Sequence, residues 1–127
     1  MISTIGAIAA GGALGAVMRH LLNTGISSYL GESFPWGTLV VNVIGCFIMG
    51  VLVAVFANSW SPSQDFRAFL TVGVLGGFTT FSAFSLDTML LWTQGNMGGA
   101  FAYVMASVIF SITAVFVGSF TVWKFFA

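Results

Sequence analysis

Charge is almost absent from this chain: its 127 residues include three Lys or Arg, three Asp or Glu and one His, for a formal net charge of zero. At 5% charged residues, against about 25% in an average soluble domain, it cannot cover a water-facing surface. The basic residues Arg19, Arg67 and Lys124 stand far apart, so there is no positive patch to hold nucleic acid or anionic headgroups. Cysteine is confined to Cys46, which excludes an internal disulfide and, inside an apolar run, reads as a small buried apolar residue. The lone His20, beside Arg19 near a span end, reads as interfacial or packing. Catalytic sets are missing as well. There is no Ser-His-Asp arrangement, no phosphate-binding glycine loop ahead of a Lys, and no cluster of His, Cys or carboxylates with metal-ligand spacing. An enzyme is not expected.

What the chain does have is apolar surface, with 58% hydrophobic residues and a mean hydropathy of +1.06. Four hydrophobic stretches run from Ile2 to Leu22, Thr38 to Ala57, Phe66 to Trp92 and Gly98 to Phe126, each long enough to cross a hydrocarbon core that needs about 20 apolar residues. The expected fold is an all-α integral membrane protein with four transmembrane helices, one domain over residues 1–127 and no room for a soluble one. The connections are expected at Asn23 to Trp36, Asn58 to Asp65 and the turn Gln94-Gly95-Asn96. Met1-Ile2-Ser3-Thr4 carries no basic residue, so the first stretch reads as a retained helix rather than a cleaved leader. Trp36, Trp60, Trp92 and Trp123 fall near span ends, as in an aromatic belt at the membrane–water interface.

Four spans place Arg67 and Lys124 on one side and Arg19 on the other. A bias of two charges against one is too small to set a topology, which leaves open a pair of inverted copies about a two-fold axis in the membrane plane. Gly11, Gly12 and Gly15 in the first span and Gly45 and Gly50 in the second suit close helix packing. Close packing leaves space only for a small substrate, or requires an oligomer.

Polar groups within the spans need a reason, because hydrocarbon offers them no partner. Thr38 and Asn42 stand four apart on the second span, and Tyr103, Ser107 and Ser111 repeat at four-residue steps along one face of the fourth. Singly, such hydroxyls bond their own helix or a neighbour; aligned, they form a stripe of uncharged hydrogen-bond donors suited to a small anion or water. Asp87, the acidic residue within a span, reads as a vestibule or structural group. The third segment departs furthest from a regular helix. Gly73, Gly76 and Gly77 precede the β-branched Thr79 and Thr80, a poor helix-forming combination. Backbone groups freed there must be satisfied by protein, water or an ion; freed carbonyls would suit a hard cation such as sodium. Phe81 and Phe84 follow on one side of the resumed helix. They read as packing, or as rings whose positive edges flank an anion without trapping it.

Three motifs, Gly11-Gly12-Ala13-Leu14-Gly15-Ala16 with Arg19, Gly37-Thr38-Leu39-Val40-Val41-Asn42, and Gly76-Gly77-Phe78-Thr79-Thr80-Phe81-Ser82-Ala83-Phe84-Ser85, resemble the Fluc (CrcB-type) fluoride channels. The likeness covers all four spans in order. It implies a dual-topology homodimer in a bacterial inner membrane, two antiparallel four-helix subunits with the third helix broken mid-membrane, enclosing two pores through which cytoplasmic fluoride leaves passively. It further implies that Asn42 faces the pore, that the edges of Phe81 and Phe84 contact fluoride, and that Ser82, Tyr103, Ser107 and Ser111 continue a polar track. Carbonyls of Gly76 and Thr79 from both subunits would hold one central structural sodium ion, with Arg19 toward a vestibule. The chain departs from the family's usual pattern at Ala83, where a Thr is common, at Asp87, where Glu is common, and at His20, where an aromatic is usual. Two other classes are weighed against the channel. A proton-coupled exporter of small cations needs an ionisable carboxylate in the membrane, which the first span lacks. A non-transporting assembly subunit would use the polar stripes as helix glue.

Overall fold

The computed structural model describes residues 1–126. It is all-helical, and no strand occurs among the described residues: α1 spans Ile2–Leu30, α2 Trp36–Asn58, α3 Gln64–Ala68, a π-helical segment Phe69–Leu75, α4 Gly76–Phe78, α5 Phe81–Thr93 and α6 Met97–Phe126. Taken end to end, four stretches are long and apolar enough to cross a membrane: Ile2–Leu30, Trp36–Asn58, Gln64–Thr93 and Met97–Phe125.

The four expected stretches match these within a few residues, with one correction. The first does not end at Leu22, and the connection does not begin at Asn23, because α1 continues to Leu30. Polar residues do not stop a helix whose backbone ladder stays intact, and Gly25 in its interior costs only about 1 kcal/mol relative to Ala. Termination waits for Gly31, whose φ of +82° a side chain would resist and whose N–H closes onto Ser27 O at 2.9 Å. The added turns serve packing, since Asn23 lies directly over Gly37 at the start of α2.

Two helix pairs form the scaffold, α1 with the π-helical segment and α2 with α6. Both depend on close backbone approach. A Cβ at Gly15 would lie 2.0 Å from Val74 O, and one at Gly50 would lie 2.1 Å from Val115 O, so a side chain at either position would collide with main chain that cannot rotate away. The seven-residue π-helical stretch has no evident sequence signal; π turns are rare and recur at functional sites. At the far end of this pair, the Thr4 hydroxyl donates to Asp65 Oδ1, tying the start of α1 to the start of α3. A small core of Leu39, Leu91, Ala100 and Tyr103, flanked by Phe34, Val43 and Phe84, joins α2, α5 and α6. Most other large apolar side chains point outward, among them Phe101, Phe116 and Phe120 at 70%, 71% and 67% exposed, which is what a lipid-facing surface requires.

Candidate functional site

The site begins with two residues that leave the helical conformation. Thr79 (φ −84°, ψ 159°) and Thr80 (φ −151°, ψ 122°) are extended, so the helical ladder stops after Phe78 and restarts at Phe81. A hydrogen-bond account of this stretch explains what holds it. Thr80 N–H, which an unbroken helix would give to the carbonyl four residues back, goes to Asn42 Oδ1 at 2.8 Å. In return, Asn42 Nδ2 donates to Thr80 O at 3.0 Å. One side-chain amide on α2 therefore pairs with both the N–H and the carbonyl of the same residue. The Thr80 hydroxyl caps α5 by accepting from Ala83 N at 3.1 Å, an N-cap use of threonine. The Thr79 hydroxyl bonds back to Leu75 O at 2.9 Å, and its methyl group fills the space that a Cβ at Gly45 would occupy.

The break leaves the carbonyls of the last turn short of helical donors. Thr80 N–H goes to Asn42 rather than to Gly76 O, and Ala83 N–H goes to the Thr80 hydroxyl rather than to Thr79 O; Gly77 and Phe78, between them, precede the same interruption. Gly76 is exposed and Thr79 half-buried. Carbonyl oxygens at an interrupted helix end are a donor set that fits a hard, oxygen-preferring cation.

Around the break lie two cavities. The first, about 280 Å³, is an open groove between α2, α5 and α6, lined by Asn42, Cys46, Thr79, Thr80, Phe81, Phe84, Ser107, Val108, Ser111 and Ile112. No charged side chain lines it. Ser107 is buried and its hydroxyl has no hydrogen-bond partner among the described residues, an arrangement that is costly unless something in the groove answers it. The rings of Phe81 and Phe84 sit 5.4 Å apart at 52°, with Phe81 left 78% exposed. Phe84 is held from behind by Tyr103, 5.2 Å away. The second cavity, about 420 Å³, is lined by Arg19, His20, Asn23, Thr38, Val41, Thr80, Ser82, Ala83 and Leu86. Thr80 lines both.

The expected site residues thus fall into four places. Asn42, Phe81, Phe84, Ser107, Ser111 and Thr79 meet in the groove, while Ser82 lines the other cavity with Arg19. Gly76 lines neither, sitting at the break's exposed edge. Tyr103 is fully buried, and its hydroxyl donates to Asp87 Oδ2 at 3.1 Å instead of lining the groove. Tyr103→Phe, which deletes that donor, is expected to lower unfolding stability by roughly 1–3 kcal/mol. The check is the thermal midpoint of the detergent-solubilised protein, where an unchanged value would mean that the bond adds nothing. Two participants differ from their sequence reading: Thr80, expected as part of a break but without a sign that Asn42 would pair with its backbone, and Cys46, expected as a small buried apolar residue, which is half-buried and lines the groove. Its four-residue spacing from Asn42 would have placed Cys46 on the same helix face.

Comparison with known proteins gives the family. Residues 6–119 match the family described as CrcB-like protein, Camphor Resistance (CrcB). A protein of Rhodospirillum centenum named fluoride-specific ion channel FluC is 54% identical over 112 residues, covering 88% of this chain and 89% of the relative. One of the same name from Chelativorans sp. is 57% identical over 108 residues, 85% and 86% of the two chains, and one from Agrobacterium fabrum is 47% identical over 114 residues, 90% and 91%. With four membrane-crossing stretches, a family match across them and near-full-length likeness to bacterial channels, the chain is a multi-pass membrane protein that belongs to the CrcB family.

Proposed function

We propose that this protein is a fluoride-selective channel in which two antiparallel copies, each a single four-helix transmembrane domain, enclose two pores for passive export of cytoplasmic fluoride. The observation that carries the reading is the groove: neutral donors and ring edges, no fixed charge, and one side open. The name its relatives carry, fluoride-specific ion channel, supplies the ion. An open groove lined by Asn42, Thr79, Thr80, Ser107 and Ser111 is unsuited to contact with lipid, which offers polar groups no partner; a second copy closes it. The weak charge bias of Arg67 and Lys124 against Arg19 permits the two insertions that an antiparallel pair needs.

Fluoride holds its water tightly, so a selective path must return equivalent short hydrogen bonds as the shell is shed. An anion enters by the cavity beside Arg19, Asn23 and Ser82, where a fixed cation raises its local concentration. It then passes the Asn42–Thr80 pair. Asn42 has a second amide hydrogen beyond the one given to Thr80 O, and this donates to the anion. The positive edges of Phe81 and Phe84 take over next, weak enough to release it, followed by the hydroxyls of Ser107 and Ser111. Tyr103 serves the path by seating Phe84. The third helix is broken mid-membrane so that its backbone serves the ions. The carbonyls of Gly76 and Thr79, two from each copy, would hold a structural sodium ion. Bound there, sodium would supply a positive charge to carbonyls at the end of the interrupted helix and hold the two breaks together.

The test is flux from liposomes loaded with potassium fluoride or potassium chloride, triggered by a potassium ionophore and followed with ion-selective electrodes. Fluoride leaving without comparable chloride is expected, and retention of both anions would sink the channel reading. Phe81→Ile and Phe84→Ile are each expected to lower fluoride flux about tenfold, the equivalent of roughly 1.4 kcal/mol of lost contact, with the dimer retained on size-exclusion chromatography. Unchanged flux in both variants would remove the rings from the path.

A further inference from the structure

Cys46 is the one thiol of the chain, and the structure gives it a position that its sequence context does not suggest. On α2 it stands one helical turn beyond Asn42, on the same face, and both line the groove that Phe81, Phe84, Ser107 and Ser111 also line. It lies beside Ser111 and is half-buried rather than enclosed. The Ser107 hydroxyl, buried and without a partner, lines the same groove, which marks the groove as a place where a small guest is accommodated. At about 30 Å³ per water, a groove of about 280 Å³ has room for roughly nine waters. A heavy group fixed to Cys46 would stand among the rings and hydroxyls of the path proposed above.

We propose that Cys46 is a thiol modification site on the ion path, at which a small soft-metal electrophile attaches and blocks conduction. The inference rests on the channel reading above. Mercuric chloride is a suitable probe because it is small, uncharged and thiophilic. The Cys46 thiol displaces one chloride: a sulfur–mercury bond forms, a mercury–chlorine bond breaks, and the sulfhydryl proton leaves with the released chloride, with no change of oxidation state. An added dithiol reverses this by taking the mercury and returning the proton to Cys46.

The experiment uses the full-length protein in fluoride-loaded liposomes, with intact-mass measurement on the same sample. Mercuric chloride is expected to add one mercury per chain and to cut fluoride efflux about tenfold or more, with recovery on adding dithiothreitol. Cys46→Ser and Cys46→Ala, each compared with its own rate before addition, are expected to lose both the adduct and the inhibition. Restoring a thiol in the Cys46→Ser background separates position from chemistry. At Val108, which lines the groove, it restores sensitivity; at Ile48, exposed at 39% but outside the groove, it accepts mercury without loss of flux. An adduct on Cys46 with undiminished flux, no adduct at all, or equal inhibition of the Cys46 variants would overturn the proposal. Absence of fluoride flux before any mercury is added would instead overturn the channel reading, and the mass measurement would still decide whether Cys46 is a reactive site.

Discussion

Asn42→Ala is expected to destabilise the protein by roughly 2–4 kcal/mol and to abolish fluoride flux. The side-chain amide pairs with both Thr80 N–H and Thr80 O, so its removal orphans the N–H and strips one bond from a carbonyl that, at the N-cap of α5, also takes the first intrahelical bond. The orphaned N–H costs roughly 1–3 kcal/mol and the lost bond about 1 kcal/mol more, and lipid cannot substitute as a partner. The loss of flux follows twice over, because the same change deletes the amide hydrogen available to the anion and frees the break that aims Phe81. Asn58→Ala provides the comparison. That side chain donates to Ala54 O within its own helix near an exposed end, and its loss is expected to cost under about 1 kcal/mol. Thermal unfolding in detergent and liposome efflux measure the two effects. Equal midpoints for Asn42→Ala and the parent would show that the break does not depend on Asn42.

Gly15→Ala is expected to be the most damaging single methyl group in the chain. The added carbon would sit 2.0 Å from Val74 O and 2.9 Å from Phe78 N, both main-chain atoms of the segment leading into the break. Overpacking in a tight core costs typically 1–3 kcal/mol, and the upper end applies here because no rotamer change can relieve a backbone clash. α1 must move away from the π-helical segment, displacing the two carbonyls proposed to hold sodium. Loss of dimer on size-exclusion chromatography, with a fall in thermal midpoint, is the expected result. Gly25→Ala is the contrasting change, since its Cβ meets nothing within 4 Å and removing an interior glycine favours the helix by about 1 kcal/mol. If the two variants unfold alike, the close approach of α1 is not what positions the break.

Much of this protein was legible in its sequence because the relevant signals are local. Low charge and four long apolar stretches define a membrane class by composition alone, and glycines in those stretches point to helices that touch through their backbones, as Gly15 and Gly50 do. The run from Gly76 to Ser82 is locally poor in helix formers, so an interruption could be expected there. Where local signals misled, the reason was also physical. The polar residues after Leu22 looked like a loop, yet hydrogen bonding continues through them to Leu30, because polarity outside the hydrocarbon carries no penalty that would end a helix.

Taken alone, then, the sequence determined the membrane-spanning class, the number of spans and the inventory of uncharged donors and aromatic rings, since each is set by composition or by spacing along one helix. Only the tertiary structure decided which of these groups meet. Asn42 closes on the backbone of Thr80, 38 residues away; Tyr103 is turned inward to Asp87; Ser82 faces the cavity of Arg19 while Phe81, one residue earlier, faces the groove. Those outcomes depend on the rotation and depth of each helix against its neighbours, which backbone packing sets over the whole bundle and which no local window of residues encodes.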